Sequence, residues 1–461
     1  MANSTTSIVT FSILSPDASL SYDRIKLRLE EYRTLITSDS DTIELSTENG
    51  KTVICRKQAK EMEEYLDQAE ILLRDVVQAR DISTLVVLHR LRDLTEVLDE
   101  LELYDECRLT GNCALDLAEA LGRRSLEFRQ EQAETLALIA GLSVYQPRAR
   151  TLFIQAVSIC EEVVANNASV SNKITFLNVL DRAGYWAPDD LRVQWLGHAV
   201  QLMTKELPQT MVKLDFRSVI YYNYGVGLFQ LKQYASAVEA YTEAISIARI
   251  LAGNNPARRN PYLVRALESN GIALKILGKY DDAIDAFTEA LEICTTMSAQ
   301  DPLQYNGLMA KALTSYGATL GSLNQFSESA AVQKQAVSLL RNLAQTGHEC
   351  TELLCCALHN YGGACSALGK HAESVLAYQE SILLRRAHAA TDIEEIFLTQ
   401  SLHSIAKSFY ALGKHAEANA AANEALERNH GRVVENCGNA PDFKSCFVCQ
   451  RVTTPDSAPN V

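Results

Sequence analysis

The chain has 461 residues, 47% hydrophobic and 22% charged, and its 57 acidic against 43 basic side chains give a net charge of −14. That composition supports a large core, while the acidic balance argues against nucleic acid and anionic membrane as partners. No run approaches the roughly 18 apolar residues of a membrane span and nothing basic precedes Arg24 as in a signal peptide, so a cytoplasmic protein is expected.

In chain order, residues 1–85 read as an extension in which helices over 20–36 and 57–80 flank a β-hairpin over 42–55. Asn49-Gly50 suits a type I′ turn, and Ile43 and Leu45 then share a face with Val53 and Cys55. From Glu61 to Glu106 there are 14 acidic and 4 basic side chains, a run that reads first as a solvated helix face and second as a surface for a basic partner.

Residues 86–215 carry divergent copies of a helix-turn-helix repeat. Tyr104, Cys107, Gly111 and Ala114 mark a turn and second helix, and Gln146, Ala149, Phe153 and Ala156 do so 42 residues on, with Ala137 in the first helix. Ala137 and Gly225 are 88 residues apart, leaving room for a further unit over about 172–205 with Ala199 as its small position. Trp186, Pro188 and Trp195 distort the turn expected there.

Between 216 and 429 the repeat is regular. A turn column of Tyr234, Tyr280, Phe326, His371 and His415 advances by 46, 46, 45 and 44 residues. Gly225, Gly271, Gly317, Gly362 and Ala406 place a small residue in each first helix. Two small columns include Ala237 and Ala283, then Ala244 and Ala290, with larger Tyr241, Phe287 and Tyr378 between them. Small residues let helices approach closely while the larger ones fill the gap. Pro256 and Pro302, in step with the repeat, are expected to close second helices. In the tail, residues 430–461, Phe443, Phe447 and Val448 are candidates to cap the last repeat, with the final residues frayed.

With Asn223-Tyr-Gly225, Asn360-Tyr-Gly362 and the Leu-Gly-Lys turns, this pattern resembles the tetratricopeptide repeat family, and most of all the long repeats of kinesin light chains. The usual period is about 34 residues. An excess near three helical turns, about 10.8 residues, lengthens helices without rotating their buried faces. The resemblance implies an all-α, right-handed α-solenoid of about eight units behind the small hairpin extension.

Catalytic patterns fail on inspection. His415-Ala-Glu417 followed by Cys446 and Cys449 resembles a zinc deaminase pattern, but Ser445 stands where proline belongs and His-Ala-Glu recurs at 371 as part of the repeat. The Gly-Lys pairs at 278, 369 and 413 lack the first glycine of a phosphate loop. His430, Cys437, Cys446 and Cys449 are weak candidates for a tail zinc site. No catalytic residue, metal or cofactor is expected, and the 12 scattered cysteines read as reduced thiols.

The resemblance further implies that first helices line a concave surface holding extended or helical peptides. Matching positions are Tyr222, Val226 and Phe229; Arg265, Glu268 and Lys275; Lys311 and Thr314; His359 and Asn360; and Gln400, His403, Lys407 and Tyr410. The four basic residues among them suit an acidic or carboxylate-bearing protein segment with an apolar anchor, and Lys311→Glu is expected to leave stability nearly unchanged. The function expected is a non-catalytic protein–protein interaction scaffold or adaptor. The alternatives are a regulatory or sensing module docking to a signalling NTPase assembly, and a zinc enzyme using the tail cysteines.

Overall fold

Apolar residues spaced three and four apart give each helix one stripe to bury, and short turns deliver an antiparallel neighbour to cover it. The computed structural model describes residues 25–27, 29–30, 33, 42–47, 50–55, 65, 67–72 and 84–429, apart from 102, 143–144, 188, 209, 211, 347–349 and 389–391. The chain forms two compact units, Met1–Leu231 and Lys232–Val461. The capping residues and zinc candidates of the tail lie outside the described residues.

The first unit opens with β1 (Thr42–Thr47) and β2 (Gly50–Cys55), paired antiparallel with Ile43 opposite Ile54 and Thr47 opposite Gly50. In this register positions 43 and 45 pair with 54 and 52, while 53 and 55 pair with 44 and 42. The described positions within 20–36 and 57–80 are helical, and Arg33 joins the two segments by contacts of 2.6 Å to Asp67 and 2.9 Å to Glu70.

Seven helices follow in this unit: α1 (Thr84–Glu100), α2 (Tyr104–Gly122), α3 (Glu127–Ala140), α4 (Gln146–Asn166), α5 (Val170–Trp186), α6 (Asp189–Gln201) and α7 (Leu214–Gln230). A π-helical turn, Leu202–Glu206, extends α6. The second unit holds α8 (Tyr234–Asn254), α9 (Pro256–Ile276), α10 (Tyr280–Gln300), α11 (Pro302–Ser322), α12 (Phe326–Gln345), α13 (Thr351–Ala367), α14 (His371–His388), α15 (Asp392–Ala411) and α16 (His415–Asn429).

Local chemistry sets these boundaries. Lys232, Gly278, Asn324, Gly369 and Gly413 occupy one turn column and all have φ between 61° and 74°. The left-handed residue lets the next N–H reach back to the helix end, as from Lys279 to Leu274 and from Lys414 to Phe409, both at 3.0 Å. Glycine adopts that conformation without steric cost, which explains the Leu-Gly-Lys pattern. Pro256 and Pro302 open the following helices rather than closing the preceding ones. At a first helical position proline sacrifices no hydrogen bond, and the Asn255 and Asp301 side chains accept the N–H of Arg258 and Gln304.

Packing within the second unit follows a knob-and-socket rule. A methyl group added at Gly271 would lie 2.7 Å from the Phe287 ring, and one at Gly362 would lie 3.0 Å from Tyr378. Gly317 sits beneath Gln333, whose Nε2 donates to the Thr314 carbonyl at 2.8 Å. In the last pair socket and knob are Ala406 and Ala422, in contact with each other.

Within each unit, consecutive odd-numbered helices touch across the intervening even helix, as do α9 and α11, α11 and α13, and α13 and α15. Among the described residues no comparable contact joins even helices. Each layer is therefore tighter on its odd side. On the looser even side long side chains span the gap among the described residues: Arg249 reaches Glu289 at 2.6 Å, Arg386 reaches Glu424 at 2.6 Å, and Arg341 pairs with Glu380.

Candidate functional site

The face expected to bind peptide falls on odd helices of both units. In the first unit α7 carries Tyr222, Val226 and Phe229, all half-buried. In the second unit Arg265 on α9 and Lys407 on α15 are exposed, and Lys275, Asn360, Gln400 and Tyr410 are half-buried. Burial pushes the Lys275 ammonium below its usual range.

Three members of the set are packed inside. Glu268 is 1% exposed, and Thr314 and His403 are also buried. Thr314 Oγ1 donates to the carbonyl of Ala310 one turn back. Glu268 receives Lys311 Nζ at 3.1 Å from the adjacent odd helix. Desolvation raises the Glu268 carboxyl, and Lys311 is the main influence pulling it back down. Lys311 thus neutralises a buried acid, and the expectation that its charge reversal is harmless does not survive.

His359 joins two odd helices, its Nδ1 2.9 Å from Ser401 Oγ and its ring edge-on to Tyr378. Burial depresses both imidazoles, His359 to about 4 and His403 to about 4, with Arg385 and Lys407 respectively adding to the effect. Both rings are neutral at pH 7. Arg385, 4% exposed on α14, stacks over Phe397 and points Nη2 at Cys356.

The first unit contains a cavity of about 390 Å³ that the expected face did not include. Its wall takes Arg92 from α1, Glu134 and Ala137 from α3, Asn178, Val179, Asp181 and Arg182 from α5, and Phe216 from α7. All four odd helices of the unit contribute. Arg92 holds Glu131 at 3.1 Å and Glu134 at 3.4 Å; Thr175 also donates to Glu134, and His89 lies 2.9 Å from Glu131. Arg182 faces Glu96 at 3.5 Å. Asp181 is different: its Oδ1 is buried with no hydrogen-bond partner among the described residues. Burial lifts its pKa to about 6, with Arg182 opposing. The signal for Asp181 was present in the spacing, because it stands 44 residues from both Ala137 and Gly225.

Residues 219–250 match a family model described as tetratricopeptide repeat. Those residues fall on α7 and α8, so the tetratricopeptide match covers one helix pair. Solved structures similar to this chain include kinesin light chain TPR-like repeats from Podospora anserina, 16% identical over 47% of this chain and 96% of that one, with a TM-score of 0.37. MamA from Desulfovibrio magneticus is 17% identical over 47% of this chain and 97% of that one, with a TM-score of 0.32. A Rap protein complexed with competence and sporulation factor is 13% identical over 66% of this chain and 76% of that one, with a TM-score of 0.40. Among curated proteins, none matches. No helix among the described residues is long and apolar enough to cross a membrane.

Proposed function

We propose that this chain is a non-catalytic interaction scaffold whose second unit holds an acidic polypeptide segment against its odd-helix face. The observation that carries the reading is the charge left on that face once internal pairs are formed. Glu268, the one acid in the expected set, is buried beneath Lys311, whereas Arg265 and Lys407 are exposed and no carboxylate lies within ion-pair distance of either among the described residues. An acidic segment complements them, and half-buried Tyr410 offers a surface for an apolar anchor. The thiols support a non-catalytic role. Burial pushes Cys160 and Cys294 up to about 12, away from the thiolate a nucleophile needs.

A peptide array probed with the full chain is expected to select acidic sequences containing a leucine or aromatic residue. The double variant Arg265→Glu/Lys407→Glu should abolish capture without lowering the melting temperature. Selection indifferent to peptide charge would sink the reading.

A further inference from the structure

The column that holds Ala137, Gly225, Gly271, Gly317 and Gly362 holds a carboxylate at position 181. Helix packing does not ask for one. Its Oδ1 is buried without a partner among the described residues, and burial raises its pKa to about 6, so the charged form is disfavoured where it stands. A residue that opposes stability in the wall of a cavity is accounted for by what the cavity holds.

The charges around it choose the class of ligand. Both arginines of the wall are already matched, Arg92 by Glu131 and Glu134 and Arg182 by Glu96. An anion would have to compete with carboxylates for each. Asp181 is the wall carboxyl with no cation in ion-pair range among the described residues. Beside it Ala137, Val179 and Phe216 supply an apolar wall for a methylene stem, and an aromatic ring attracts cations. The volume, about 390 Å³, is near the lower end of ligand sites, which run from about 300 to 1,000 Å³, and suits one long side chain.

We propose that this cavity binds an alkylammonium or guanidinium group, from a lysine or arginine of a partner polypeptide or the end of a free polyamine, with Asp181 as its counter-ion. The site lies wholly in the first unit and does not depend on the acidic-segment reading of the second.

Titration calorimetry of the full chain with acetyl-tetralysine amide, cadaverine and neutral 1,5-pentanediol tests it. Both amines should bind and the diol should not. Asp181→Asn should weaken the amines about tenfold or more with no fall in melting temperature. Glu119→Gln, an exposed acid on α2 paired with Arg123, should change binding by about twofold or less. Asn178→Lys, which tethers an ammonium at an exposed wall position one turn from Asp181, should block both amines and covers the case in which Asp181→Asn misfolds. Tetralysine binding tighter than cadaverine assigns the site to a polypeptide; equal or weaker binding assigns it to a polyamine. The proposal is overturned if neither amine binds, if the diol binds as well, or if Glu119→Gln weakens binding as much as Asp181→Asn.

Discussion

From α9 to α16 every intra-pair turn carries a left-handed residue, and each odd helix sets a Gly or Ala under a residue of the following even helix. From α1 to α7 no described residue is left-handed, and the sockets are irregular: Gly111 of α2 lies under Tyr145 beyond α3, and Gly184 of α5 under Leu196. Both units obey the same odd–even contact order. The difference teaches that contact order survives the loss of local repetition, whereas the regular turn and socket pattern does not. In the irregular unit a charged cavity is lined by Asp181, 44 residues from both Ala137 and Gly225.

The comparison breaks first at Lys311. Reversing its charge in Lys311→Glu leaves buried Glu268 beside a like charge. Because Lys311 is 54% exposed, solvent screening and proton uptake by Glu268 keep the loss below about 3–5 kcal/mol, the cost of breaking a fully buried pair. Equilibrium denaturation of the full chain should show a large loss; a change under about 0.5 kcal/mol, ordinary for a surface site, would mean Glu268 is not held by this pair.

Acidification should then drive the two units in opposite directions. His359 and His403 are depressed to about 4, so their contribution is present above their ordinary 6.5 and is lost as pH falls toward 4. Going from pH 7 to 5 costs the second unit about 2 kcal/mol per histidine. Asp181 is raised to about 6, so its contribution is present below 3.8 and lost as pH rises past 6. The same acidification favours the first unit by about 1 kcal/mol. Hydrogen exchange, corrected for intrinsic rates, should show α13 and α15 losing protection while α5 gains it; parallel changes would refute the contrast.

Gly271→Leu should overpack the socket beneath Phe287 and destabilise by about 1–3 kcal/mol. Gly253, with nothing within 4 Å of an added methyl group, should accept alanine within about 0.5 kcal/mol. Equal thermal shifts would void the socket assignment.

The smallest effect sharpens the regularity of the second unit. Its Arg–Glu ladder joins α8 to α10, α12 to α14 and α14 to α16, but at the step from α10 to α12 the matching positions hold Thr295 and Gln335. Thr295→Arg/Gln335→Glu should add about 0.2–1 kcal/mol, as exposed pairs do. A double-mutant cycle with no coupling would show that the ladder decorates the even side without fastening it.

Much of the fold was legible because its rules are local. Turn columns at 44 to 46 residues, the Gly271 and Gly362 sockets with Phe287 and Tyr378, and second helices starting at Tyr104 and Gln146 all appear in the structure. The candidate site was less so. Glu268, Thr314 and His403 sit on the expected helix face yet are buried, because neighbouring odd helices approach closely enough to cover them. Periodicity gives the side of a helix but not how much of it the next helix conceals.

The amino-acid order alone determined the alternation of helices, the glycine turns and the small-residue sockets, since each follows from contacts a few residues apart or one period apart. Only tertiary structure decided which charges are spent and which are left over. Lys311 is committed to Glu268, Arg92 to Glu131 and Glu134, and Asp181 is left lining a cavity. Desolvation and ion pairing depend on which helices meet in space, and that distance is not written in any single repeat.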